Sequence, residues 1–158
     1  MKKYEFTGET KRVELWNRTA TLHRIKATVE FGFVKVGELG GWIEKEENLS
    51  HEGKAWVCGD AEVWGNAKVC GDAKVCGDAE VFLASHVLVM GSVGSRNDFT
   101  TFFRDKDNEI TVKCGCFLGK IDKFLEKVTQ THGNNKYALV YRAAVEVAKL
   151  QIELTERK

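Results

Sequence analysis

The stretch "WVCGDAEVWGNAKVCGDAKVCGDAEVF", residues 56–82, nearly repeats itself every six residues, and its reading decides the fold. Valine stands at 57, 63, 69, 75, 81, 87 and 93, and alanine two residues before each of the first five. Glycine occupies 53, 59, 65, 71 and 77, and the last four are followed by Asp60, Asn66, Asp72 and Asp78. A Gly-Asp or Gly-Asn pair every six residues breaks both a 3.6-residue helix and a long strand. Short strand pieces joined by tight corners suit it, with glycine and Asp or Asn taking the unusual backbone angles. Valine then points inward and alanine fills the narrow space beside it, so that each coil buries its apolar face on the next.

With a coil of about 18 residues, Cys58 lies over Cys76, and Trp64 over Phe82, at an inter-strand spacing of about 4.8 Å. Alternation directs Cys58, Trp64, Cys70, Cys76 and Phe82 outward, where they are expected to pack beneath C-terminal helices or a neighbouring subunit.

The pattern V-x-G-D-A-x resembles the hexapeptide repeat of left-handed parallel β-helix proteins. The preceding "LHRIKATVEFGFVKVGELGGWIEKEENLSHEGKAWV", residues 22–57, resembles the N-terminal lead-in of the YdcK-like hexapeptide proteins. Gly40, Gly41, Trp42, Ile43, Asn48, Leu49, Ser50, Gly53 and Trp56 carry that likeness, which covers roughly residues 4–93. It implies a short left-handed parallel β-helix of two or three coils. The family is associated with transferase assignments and with bacteriophages and prophages.

Composition sets the outer limits. The 43% hydrophobic content of 158 residues can supply a core without staples. The 24 Lys and Arg against 23 Asp and Glu leave a charge of +1, so no global field draws the chain to nucleic acid or an anionic membrane. No run of about 18 apolar residues occurs, and "MKKYEFTGETKR" has no apolar stretch after its lysines. A cytoplasmic protein is expected, in the host cytoplasm if phage-encoded, with its five cysteines reduced. Proline is absent where roughly eight would be usual, so the turns rely on Gly, Asn and Asp.

After Val93 the register is lost. "DFTTFFRDKDNEITVKCGCF" reads as a hairpin around "DKDN". "KIDKFLEKVTQTHG" puts Ile121, Phe124, Leu125 and Val128 on one helical stripe ending at Gly133. A second helix starts near Asn134 and Asn135, with Tyr137, Val140, Tyr141, Ala144, Val145, Ala148, Leu150 and Ile152 as its apolar face. The expected fold is mainly β: a short parallel β-helix over residues 1–93, then a β-hairpin and two C-terminal α-helices over 94–158.

The most ligand-like stretch is "GSVGSRNDFTTFFR", residues 91–104. A glycine-rich turn with Ser95, Arg96, Asn97, Thr100, Thr101 and Arg104 can hold a phosphate or carboxylate by charge-assisted hydrogen bonds. His132, in "THGNNKY", joins them as a candidate ligand-binding residue. Cys114 and Cys116 share a strand face and with His132 offer soft zinc ligands, but without knuckle spacing or a fourth ligand no metal or other cofactor is expected. Of the four histidines, His86 is the candidate for an acyltransferase base, at an outward position, and no catalytic loop surrounds it. Lys68 and Lys74 alternate with Glu62 and Glu80 as a solvated face, which gives no reason to expect nucleic acid.

The leading functional expectation is a non-enzymatic, phage-encoded homo-oligomer, a trimer or dimer, that captures a small anionic ligand or a host protein. A nucleotide signal in counter-defence is one such ligand. A hexapeptide-type acyl or other group transferase and a structural, virion-associated oligomer are the alternatives.

Overall fold

A computed structural model describes residues 2–15 and 17–154. The chain begins with two long strands, β1 (Tyr4–Leu15) and β2 (Arg18–Ala27), and continues through β3 (Leu39–Ile43). The six-residue repeat then supplies four pieces of two residues each: β4 (Trp56–Val57), β5 (Glu62–Val63), β6 (Lys74–Val75) and β7 (Glu80–Val81). Four further strands follow: β8 (Val87–Val93), β9 (Asp98–Arg104), β10 (Ile110–Cys114) and β11 (Phe117–Lys120). Helices α1 (Ile121–His132) and α2 (Lys136–Gln151) close the chain. Among the described residues no helix is long and apolar enough to cross a membrane.

The strands form a five-stranded sheet in the order β1-β2-β3-β5-β7, a four-stranded sheet in the order β11-β10-β9-β8, and the pair β4-β6. The five-stranded sheet is mixed: β1-β2 and β2-β3 are antiparallel, and β3-β5 and β5-β7 are parallel. The four-stranded sheet is antiparallel throughout. This corrects the expected parallel β-helix and, with it, the expected left-handed coil, since only β4-β6 is a purely parallel sheet. The physical reason is length. Gly-Asp and Gly-Asn corners leave two residues of strand between them, so most extended backbone comes from segments outside the repeat.

Within the repeat the inward positions behave as their spacing requires. Val57, Val63, Val69, Val75 and Val81 are fully buried, with Ala55, Ala61, Ala67, Ala73 and Ala79 beside them. The corner glycines have φ between +61° and +67°, the left-handed region that a Cβ disfavours. Glu62 pairs with Glu80 and Trp56 with Lys74, at the same 18-residue separation that joins Cys58 to Cys76 as a disulfide. The expectation of reduced thiols is thus corrected for these two; Cys70, Cys114 and Cys116 are free. Two 18-residue neighbours on one side of the repeat are placed side by side, and that brings the two sulfurs together.

Trp64 stacks on Phe82 with ring centroids 4.8 Å apart, and both are buried. Their cover is neither a C-terminal helix nor a subunit. Ala20 and Leu22 of β2, with Val13 and Leu15 of β1, complete the cluster with Trp42. The first residues also seal the start of the repeat: the Tyr4 hydroxyl donates to the Leu49 carbonyl at 2.6 Å, and the Lys3 ammonium to the Ala55 carbonyl at 2.7 Å. Burial lowers the Lys3 pKa to about 8, against a weaker opposing pull from Asp72.

The antiparallel sheet is a shared wall. Alternation along β9 sends Phe103 into the repeat core and Phe102 into the core formed with the helices. On β8, Val87 and Val89 pack on the first core, while Leu88, Met90 and Val93 pack on the second. Val87 and Val93, which continue the valine spacing, therefore belong to an antiparallel strand, and the expected boundary at 93/94 falls between two paired strands.

In the second core Phe124 and Val128 of α1 meet Tyr141, Ala144, Val145 and Ala148 of α2. Leu150, assigned from sequence to the apolar face, is 87% exposed, whereas Ile152 is buried. The Asn135 side chain caps α2 by accepting from the Ala138 amide at 3.0 Å. Asn135→Ala is expected to cost about 1 kcal/mol, measured as a shift of the urea unfolding midpoint; an unchanged midpoint would show that the cap contributes nothing.

Candidate functional site

Two clefts open on either side of the turn that joins β8 to β9, and both are lined by Asp98 and Gly115. The turn is held by its own backbone: the Asn97 amide donates to the Gly94 carbonyl at 3.2 Å, and the Ser92 hydroxyl to the Asn97 carbonyl. Gly94, at φ +81°, lies so close to α2 that an added Cβ would come within 1.8 Å of the Tyr141 hydroxyl oxygen. Only glycine permits both the backbone angle and this approach.

The first cleft, of about 310 Å³, lies between this turn, the β10-β11 connection and α1. It is lined by Ser95 and Arg96 from the turn, Cys114 at the end of β10, Cys116 from the connection, Phe117 at the start of β11, Phe124, Lys127, Thr131 and His132 from α1, and Tyr141 from α2. Arg96 and Lys127 are exposed, and no hydrogen bond or ion pair ties either one to another described residue. The Tyr141 phenol is pushed up to about 12, by burial first and then by Cys114 and Asp98, with Arg96 pulling the other way. At neutral pH it therefore keeps its O–H as a donor. The half-buried His132 ring lies 6.0 Å from that of Tyr141, close to parallel.

Three of the seven sequence candidates, Ser95, Arg96 and His132, thus come together here. Asn97 and Thr101 line the other cleft. Two are corrected. Thr100 is buried, with its hydroxyl 3.4 Å from the Cys114 sulfur. Arg104 is 3% exposed; it donates to the Glu80 carbonyl at 2.8 Å and to Asn108 at 3.0 Å, with its guanidinium over the Phe82 ring. It fastens β9 to the repeat, assisted by the bond from the Lys74 amide to Thr101 Oγ1 at 3.0 Å. Burial raises the Glu80 pKa, and Arg104 partly offsets this.

His86 is likewise corrected. It is fully buried rather than outward, with Nδ1 accepting the Phe82 and Leu83 amides at 3.1 and 3.2 Å. A ring enclosed in this way meets no substrate, so it is not an acyl-transfer base. Cys114, Cys116 and His132 share the first cleft, yet among the described residues no three His, Cys, Asp or Glu side chains are grouped so as to hold a metal ion.

Sequence reasoning passed over Lys127, Thr131, Phe117, Phe124 and Tyr141 as site residues. Lys127 and Thr131, four apart on α1 beside the apolar stripe, were the signal that one helix edge accompanies the Arg96 turn. The second cleft, of about 370 Å³, takes Phe33, Lys54, Lys74, Phe99 and Lys113 from five separate segments. No family model matches the chain, and a search of curated proteins finds none similar to it.

Proposed function

We propose that the protein is a non-enzymatic binding protein that captures a small anionic ligand in the cleft formed by Ser95, Arg96, Lys127, His132 and Tyr141. The observation that carries this reading is the pair of exposed cations, Arg96 and Lys127, neither tied by a hydrogen bond or ion pair to another described residue, on a cleft with a protonated phenol. A guanidinium and an ammonium at one cleft favour phosphate or carboxylate. The rings of Phe117 and Phe124 give the remainder of such a ligand an apolar wall, which suits a nucleotide. Capture of a nucleotide signal in counter-defence by a homo-oligomer is part of this proposal, and its support is the sequence resemblance to YdcK-like phage and prophage proteins alone. Group transfer has less support, because the candidate base His86 is enclosed.

The test is native mass spectrometry of protein purified from cells, before and after addition of a nucleotide panel and acyl-coenzyme A. A nucleotide retained and released unchanged is the expected result; consumption of the acyl donor would overturn the reading. Arg96→Ala is expected to weaken retention about 10- to 100-fold, since a hydrogen bond to a charged group contributes roughly 1.5–3 kcal/mol, with oligomeric state unchanged. Retention at wild-type affinity would remove Arg96 from the site.

A further inference from the structure

We infer that the second cleft, between the repeat and the antiparallel sheet, is a separate binding site for a nucleoside phosphate. Its volume of about 370 Å³ lies within the range of pockets that hold small molecules, roughly 300–1,000 Å³. Three kinds of group meet there, and each matches one part of such a ligand.

The first is an aromatic ring held out in solvent. Residues 31–34 form a tight turn closed by reciprocal backbone bonds, Phe31 amide to Val34 carbonyl at 3.1 Å and the reverse at 2.8 Å, with Gly32 at φ +53°. Val34 is buried and Phe31 packs edge-on against Trp56, so both ends of the turn are fixed. Phe33 between them is 88% exposed. A rigid turn that presents a phenyl ring to a cleft offers a stacking face for a planar base. Phe99, also at the cleft, adds a second apolar surface.

The second is a set of ammonium groups. Lys54, Lys74 and Lys113 line the cleft. The Lys74 ammonium sits 5.0 Å above the Phe33 ring, and that of Lys113 donates to the Gly115 carbonyl. Three cations against the carboxylates of Asp72 and Asp98 leave a net positive cleft, and Asp98 already accepts the Phe99 amide at 2.7 Å. This charge is suited to a phosphate chain. Asp72 is the third group, a carboxylate acceptor of the kind that binds ribose hydroxyls.

The two clefts share Asp98 and Gly115 but take their cations and exposed rings from different residues, so this assignment stands or falls separately. Isothermal titration of the full chain with ADP, GDP, CDP and UDP, with pyrophosphate as the ring-free control, tests it. Saturable binding of at least one diphosphate is expected to persist in Arg96→Ala, a background that removes the first cleft and in which the two cleft variants below are compared. Phe33→Ala, at a position too exposed to disturb folding, should weaken the nucleotide at least 10-fold and leave pyrophosphate unaffected. Lys74→Gln should weaken both. Absence of saturable binding by all four nucleotides, an unchanged affinity in both cleft variants, or loss of all nucleotide binding in Arg96→Ala would overturn the assignment.

Discussion

Trp64→Ala is expected to destabilise the protein by about 3–5 kcal/mol, the range for emptying a large aromatic site in a packed core. Trp64 is 4% exposed, and its ring lies on Phe82, which is itself fully enclosed. Around them stand Ala20, Leu22 and Trp42, with Val13 and Leu15 at the margin. Alanine would leave a void that the flat Phe82 and Trp42 rings cannot fill without moving β2. The loss is a large share of the roughly 5–15 kcal/mol that separates folded from unfolded domains. It should also be local before it is global: amide exchange in β1 and β2 should accelerate more than in α2, whose contacts lie in another core. Trp64→Phe, which keeps a ring on Phe82, should recover most of the stability. A small shift in the urea midpoint together with unaltered exchange in β1 and β2 would show that this cluster does not hold the hairpin.

The second large effect is with acid. His86 has no exposed surface, and its Nδ1 already accepts two backbone amides, so a proton there must displace them. Burial, then the positive charges of Arg104 and Arg18, lower its pKa to about 4. Above about pH 6.5 the imidazole is neutral in both folded and unfolded chains and contributes no pH dependence. Below that value the unfolded chain takes up a proton that the folded chain refuses until about pH 4. Stability should therefore fall by about 1.4 kcal/mol per pH unit through this window, about 3 kcal/mol in total. Asp105 acts at lower pH. Burial alone would raise its pKa, but bonds from Thr111, Lys120 and two backbone amides outweigh burial and lower it. Its contribution is kept above the unfolded carboxyl value and lost as pH falls through the folded one. Glu80, with a raised pKa, works in the opposite direction and moderates the decline.

His86→Asn separates these groups. Asn48 ends an equivalent short 3₁₀ turn, where its Oδ1 accepts the Lys45 amide at 3.0 Å. An asparagine at 86 should keep an acceptor for the Leu83 amide while removing the titration. Urea unfolding at pH 7, 6, 5 and 4 should then show a flatter acid limb than wild type. Parallel curves for the two proteins would exclude His86 as the source.

What the sequence disclosed and what it hid have distinct physical causes. Val57 through Val81 and their alanines were legible because a fixed period and a fixed corner residue state the buried face twice. Val87 and Val93 extended the count without a Gly-Asp or Gly-Asn pair in register after them, and the backbone there is one long antiparallel strand. The β1-β2 hairpin was missed because β1 is almost wholly exposed and its pairing shifts register between Phe6 and Thr10, so no clean alternation of two survives. The helices were readable from their stripes and from Asn135 and Gly133. Arg104 and Arg96 look alike in sequence, a cation near a turn, yet one is enclosed by Glu80, Asn108 and Phe82 and the other is exposed. The clefts draw on segments tens of residues apart, so no single stretch could display them.

The cover that β1 and β2 place over Trp64 and Phe82 also fixes an order of events on the ribosome. The hairpin emerges before the repeat, and the rings it shields are made about 40 to 60 residues after Leu22. Until Phe82 appears, the cluster of Ala20, Leu22, Trp42 and Trp64 is incomplete, and the parallel pairs that join β3 to β5 and β7 are contacts of long sequence separation, the slow kind. The N-terminal two-thirds is thus completed by its middle rather than from its start. A translational pause that keeps Phe82 within the ribosome would leave Ala20 and Leu22 uncovered, and release of Phe82 ends that exposure.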